Sequence, residues 1–147
     1  MYTKKNFGAL IDARYVSNGS LTAGGTGDDT RVTGEANDRI DFGSVALVIA
    51  GEATLAEDAT LSIDVEYQES ADGTNWDEEE TLTEAAVVAT GGDSGTTENF
   101  VLKINQNLQP LSRYVRYNVN PDLSATGTDT ADWACVAVLG GAFEVPV

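Results

Sequence analysis

The chain has 147 residues, 41% of them hydrophobic, which suits a single domain with its own core. Eight Lys and Arg against 24 Asp and Glu leave a net charge of −16, a field that repels nucleic-acid phosphates and anionic membranes. With no His and a single Cys, the usual general base, the usual zinc ligand and an intrachain disulfide are all missing, so no cofactor or metal is expected.

Residues 1–16 open the chain with Lys4, Lys5 and Phe7, and no signal-type apolar core follows. The expectation is a chain neither secreted by that route nor membrane-spanning, since no apolar stretch approaches the roughly 20 residues a bilayer requires. Residues 17–30 are rich in Gly, Ser and Thr and read as a linker, which would detach residues 1–16 as an arm. The expected division is therefore 1–30 as arm and linker and 31–147 as the folded domain. Such an arm would be dispensable for folding and free to cross to a neighbouring subunit.

Short strands are expected over 7–16, 31–33, 39–42 and 44–51. The clearest strand is 60–68, where Leu61, Ile63, Val65 and Tyr67 alternate with Ser62, Asp64, Glu66 and Gln68. It runs into Asp72-Gly73, whose positive-φ chemistry favours a hairpin, and Trp76 is read as the start of the return strand. Residues 78–88 admit a short helix. Further strands are expected over 87–90, 99–104, 113–119 and 132–139, with flexible loops at 89–97 and 122–130. Short strands at this spacing predict an all-β fold, an antiparallel β-sandwich, jelly-roll-like, with an extended N-terminal arm. Residues 44–50 and 132–139 carry apolar side chains on both faces, and such outer faces call for cover by a loop, by the arm or by another subunit.

Charge is unevenly spread. Fifteen acids and no base lie between Arg39 and Lys103, while the two ends are nearly neutral. The bland reading is a solvated face; the sharper one is an acidic side turned to water and a less charged side turned to a partner. Asp77-Glu78-Glu79-Glu80 lacks the alternating spacing and turn glycine of a calcium loop. Gly91-Gly92-Asp93-Ser94-Gly95 resembles a serine nucleophile turn only superficially, because no His completes a triad. Tyr67, Tyr117 and Trp133 fall in phase with core aliphatics, leaving Trp76 and Tyr114 as possible surface aromatics for stacking on a sugar. Arg113 and Arg116 flank Tyr114 and are expected to pair with acids or to meet another subunit.

Four segments recur together in one order: Ala46 to Gly51, an apolar strand ending in Ala-Gly; Leu61 to Trp76, closing on Glu69-Ser70-Ala71-Asp72-Gly73-Thr74-Asn75-Trp76; Ser112-Arg113-Tyr114-Val115-Arg116-Tyr117; and Val136 to Gly141. This order, spanning about residues 44–141, resembles that of head-associated structural proteins of tailed bacteriophages. The resemblance implies a small, non-enzymatic decoration or cement protein on the outer capsid surface of a virion, assembled in the host bacterial cytoplasm. Its partners would be the major capsid protein and itself, as a homotrimer. Lys4, Lys5, Phe7, Arg14, Tyr15, Tyr114 and Arg116 are the candidate capsid or subunit contacts. A position on the tail or a vertex, a carbohydrate-binding module serving adhesion, and an enzyme using only carboxylates stand as alternatives.

Overall fold

The computed structural model describes residues 7–125 and 127–142. A 3-10 turn, Phe7–Leu10, precedes nine strands: β1 (Asp12–Thr22), β2 (Val32–Thr33), β3 (Asn37–Asp38), β4 (Phe42–Leu55), β5 (Thr60–Ser70), β6 (Glu80–Thr90), β7 (Thr96–Asn107), β8 (Tyr114–Leu123) and β9 (Thr130–Ala142). One sheet has the order β1-β9-β4-β7; the other has the order β2-β8-β5-β6, with β3 also paired to β8. Every pairing is antiparallel. Counting β2 and β3 as one interrupted strand, the first and last strands are neighbours and the chain changes sheet at every step except the β5–β6 hairpin. That is the jelly-roll order, and the expected sandwich is the fold observed.

Alternation builds the core. Leu47, Ile49 and Ala53 of β4 and Cys135 and Ala137 of β9 face Leu61, Ile63 and Val65 of β5 and Val119 of β8, all at 0% exposure. Enclosing each Leu or Ile contributes roughly 1.5–3 kcal/mol. Tyr117 and Trp133 are core residues too, and Tyr67 packs against the same cluster from its margin. Burial pushes the Cys135 thiol up to about 12, so this lone cysteine is an inert core side chain.

The arm and linker are corrected by the structure over residues 12–22, which form β1, paired to β9 from Asp12 opposite Leu139 to Thr22 opposite Thr130. Val16 and Leu21 are each 1% exposed, so this segment belongs to the sandwich. Its small residues serve packing rather than flexibility: a Cβ on Gly19 would stand 3.0 Å from the Trp133 indole nitrogen. A bulge between Tyr15 and Ser17 turns Val16 and Ser17 inward together. Residues 23–30 do form turns, but they are tied down by Asp28, whose carboxylate accepts from the amides of Gly24 (2.6 Å) and Leu123 (2.8 Å). Lys4 and Lys5 lie outside the described residues.

Residues 80–88, admitted as helix, belong to strand β6, in keeping with their Thr and Val content. The β5–β6 hairpin is present, but its loop runs from 71 to 79 and Trp76 lies within it rather than on the return strand. Asp72 organises this loop by accepting from the amides of Thr74 and Asn75, both at 2.8 Å, and Gly73 supplies a φ of +75°. These hydrogen bonds hold the exposed Asp72 carboxyl well below the usual carboxylate range.

Candidate functional site

The two sheets turn different surfaces to solvent. On the outer face of the β1-β9-β4-β7 sheet, pairing sets side chains in rows across four strands: Ala13, Val138, Ala46, Asn105; then Tyr15, Val136, Val48, Lys103; then Asn18, Ala134, Ala50, Val101. Lys103 is the single charged side chain in these three rows. Val101 at 70% and Tyr15 at 51% exposure are among the most exposed large hydrophobic residues of the described chain. The next row, Ser20, Asp132, Glu52 and Asn99, closes the patch with two carboxylates. The apolar outer faces expected of residues 44–50 and 132–139 are thus adjacent, joined by their neighbours into one surface.

The opposite outer face is mostly polar, although Val87 of β6 stands on it at 59% exposure. Asp64 stands opposite Asn120, Glu66 opposite Asn118, Gln68 opposite Arg116 and Ser70 opposite Tyr114. The 71–79 loop folds back over this face: Gln68 donates to the Asp77 carbonyl (2.9 Å), and Arg31 binds both Glu66 (3.3 Å) and Glu79. Within the acidic run 77–80, Glu79 is engaged by Arg31 and Glu80 by the Tyr67 hydroxyl. The bond to Glu80 pushes the Tyr67 phenol up to about 12. No three His, Cys, Asp or Glu side chains converge to hold a metal ion among the described residues.

One end of the sandwich gathers four arginines. Arg113 makes a two-nitrogen contact with Asp38 (closest 2.7 Å), and Arg14 pairs with Asp12 (2.8 Å) while donating to the Asp38 carbonyl (2.6 Å). Arg39 donates to the Leu111 and Ser112 carbonyls, and Arg116 to the Gln68 side chain (3.0 Å). Two aromatic faces are covered here: Arg116 lies 4.3 Å above Trp76, and Arg113 lies 5.1 Å above Tyr114. A Cβ on Gly73 would meet the Tyr114 ring at 3.4 Å, so the hairpin loop packs on that ring as well. Each arginine thus occupies one face of its ring, a face a sugar would otherwise stack on.

The structure therefore brings Arg14, Tyr114 and Arg116 together at this end, held by internal partners. Tyr15 stands apart on the apolar face. Phe7 begins the 3-10 turn, and its side chain lies outside what is described. Sequence reasoning missed the contributions of Ala13 and Val101 to the patch, because only register places them beside Val138 and Ala50. It also missed Asn118, which alternates outward from Tyr117 and Val119 yet is 1% exposed.

No family model matches the chain, and no curated protein matches its sequence. Solved structures similar to it come from infectious bursal disease virus. For the T13 viral particle the TM-score is 0.52 at 9% identity, over 93% of this chain and 33% of that one. For the Gx strain the TM-score is 0.51 at 9% identity, over 92% and 34%, and for the virus-derived T=1 particles it is 0.51 at 11% identity, over 92% and 32%. The chain spans about a third of the length of those it matches. At these identities the likeness shows a shared fold, a β-sandwich also found in chains that build virus particles.

Proposed function

We propose that this chain is a virion structural protein that decorates the capsid exterior, binding the lattice of major capsid protein as a homotrimer and stabilising it. The observation that carries the reading is the outer face of the β1-β9-β4-β7 sheet. It presents three successive rows with one charge, Lys103, on a chain of net charge −16. An apolar surface of this extent on so acidic a chain favours burial against a partner, while the acids of the other sheet and the distal loops keep the decorated particle soluble. A clamp that binds the assembled lattice better than its free subunits shifts the assembly equilibrium toward the closed shell. The fold shared with particle-building chains supports a virion role without specifying the attachment point.

The test is co-sedimentation of the purified chain with undecorated particles. Val136→Glu, placed at the centre of the patch on an outward position, is expected to leave the chain folded and to lower occupancy at least tenfold. Unchanged occupancy of the V136E chain would overturn attachment through this face. The mass of the chain in solution and on particles tests the trimer.

A further inference from the structure

A two-sheet sandwich ends in four sheet edges, and three of them here are blunted against a further strand. β2 and β3 are two residues each, with a break between them. β1 carries the bulge between Tyr15 and Ser17, and the Glu35 amide donates to its Val16 carbonyl at 3.0 Å. β6 departs from regular pairing at three places and holds Ala85 at a φ of +36°. β7 is different. It runs Thr96–Asn107 without Pro, Gly or a bulge, pairs with β4 on one side and is the last strand of its sheet. Among the described residues no strand pairs with its other side.

The middle of β7, from Asn99 to Asn105, is rich in residues that favour strand pairing: Phe100, Val101, Leu102 and Ile104. Phe100 is buried, whereas Leu102 and Ile104 are only partly covered by the core and Val101 is 70% exposed. The whole strand carries one Glu and one Lys, so this edge is neutral on a chain of net charge −16. Two copies meeting along it bring together no excess of like charge from the strands themselves.

We propose that β7 pairs with β7 of a second copy, antiparallel about a twofold axis at Leu102, so that the two β1-β9-β4-β7 sheets become one continuous sheet. The register follows from the order of residues, because opposite side chains in antiparallel pairing share a face. On the inner face Leu102 meets its own equivalent and Phe100 meets Ile104. On the outer face Val101 meets Lys103 and Asn99 meets Asn105. An axis at Val101 would set Ile104 against Glu98, and an axis at Lys103 would set two ammonium groups against each other. A twofold contact cannot close a ring of three, so this one is separate from any contact within a trimer and would join one trimer to the next.

The experiment is sedimentation equilibrium of the full chain without particles, over about 1 µM to 1 mM, the range of weak interfaces. Val101→Lys sets lysine against Lys103 on both sides of the axis, and Val101→Glu sets a carboxylate there instead; position 101 is exposed enough for either to fold. The wild-type mass is expected to reach at least twice that of the V101K chain at equal concentration. V101E is expected to associate at about fivefold lower concentration than the wild type, and the swapped pair Val101→Lys, Lys103→Glu to recover what V101K loses. Equal masses for the wild type and V101K would overturn the pairing. Loss of association in V101E as well as in V101K would overturn the register and assign the contact to the apolar face. The V136E chain, altered on that face but not on β7, is expected to associate as the wild type does, which separates failure here from failure of capsid attachment.

Discussion

β4 meets β7 over twelve consecutive pairs without a shift, from Ser44 opposite Asn107 to Leu55 opposite Thr96, whereas β5 meets β6 through three irregularities. Across β9, β4 and β7 the outward side chains keep constant spacing, and small apolar residues then make a continuous, nearly uncharged surface. On the irregular sheet, bulges and a folded-back loop produce a hollow lined with carboxylates and amides. Inward, the two sheets obey one rule; outward, pairing regularity separates a continuous, nearly uncharged surface from a polar one interrupted by a hollow.

The largest effect that would test this contrast comes from removing residues 1–16. Because β1 is a full member of the regular sheet, the deletion strips its first pairs from β9 and removes buried Val16. Tm is expected to fall by more than about 10 °C in calorimetry. A chain that still melts as the wild type does would restore the separate arm and redraw the apolar face without Tyr15.

A smaller effect compares the sheets from inside. Leu47 on β4 and Leu61 on β5 are both at 0% exposure, so Leu47→Ala and Leu61→Ala should each cost about 3 kcal/mol in denaturant unfolding. Values differing by more than about 2 kcal/mol would mean that the irregular sheet yields where the regular one does not. Leu61 sits beside the first register shift, which makes it the sharper probe of the two.

The smallest effect concerns the arginine end. The hydrogen bond from Arg113 holds the Asp38 carboxyl below its ordinary value of 3.8, with the Ile40 amide assisting. The folded chain therefore releases this proton more readily than the unfolded chain. The resulting stabilisation is complete above about pH 4 and fades as pH falls through the lowered folded value. Arg113→Gln should cost about 1 °C in Tm at neutral pH, since the pair is solvent-exposed, and the difference from wild type should vanish in acid. A difference that persists at low pH would assign Arg113 a packing role on Tyr114 instead.

Much of the fold was legible because period-2 alternation is local. Leu61, Ile63 and Val65 announced β5, and the apolar doubling in 44–50 and 132–139 announced an outer surface needing cover. Composition misled where residues are small for a tertiary reason: Gly19 looked like linker chemistry but makes room for Trp133, more than a hundred residues away. Trp76 and Tyr114 were correctly kept out of the core cluster, yet no local pattern revealed that Arg116 and Arg113 would cover them. The hollow was illegible for a similar reason. Asn118 follows ordinary outward alternation, and its partners Gln68 and Glu79, the latter on the folded-back 71–79 loop, are set by the tertiary fold.

The adjacency of β1 and β9 has a consequence for how the chain bears force. Asp12 and Leu139 face each other at one end of an antiparallel pair, so tension between the two chain ends peels the strands apart one hydrogen-bonded pair at a time. That geometry yields at low load, because bonds break in succession rather than together. Load entering across the broad face of the same sheet would instead be shared by β1, β9, β4 and β7 at once. A chain built this way resists being pressed or sheared over its surface far better than being pulled by its ends.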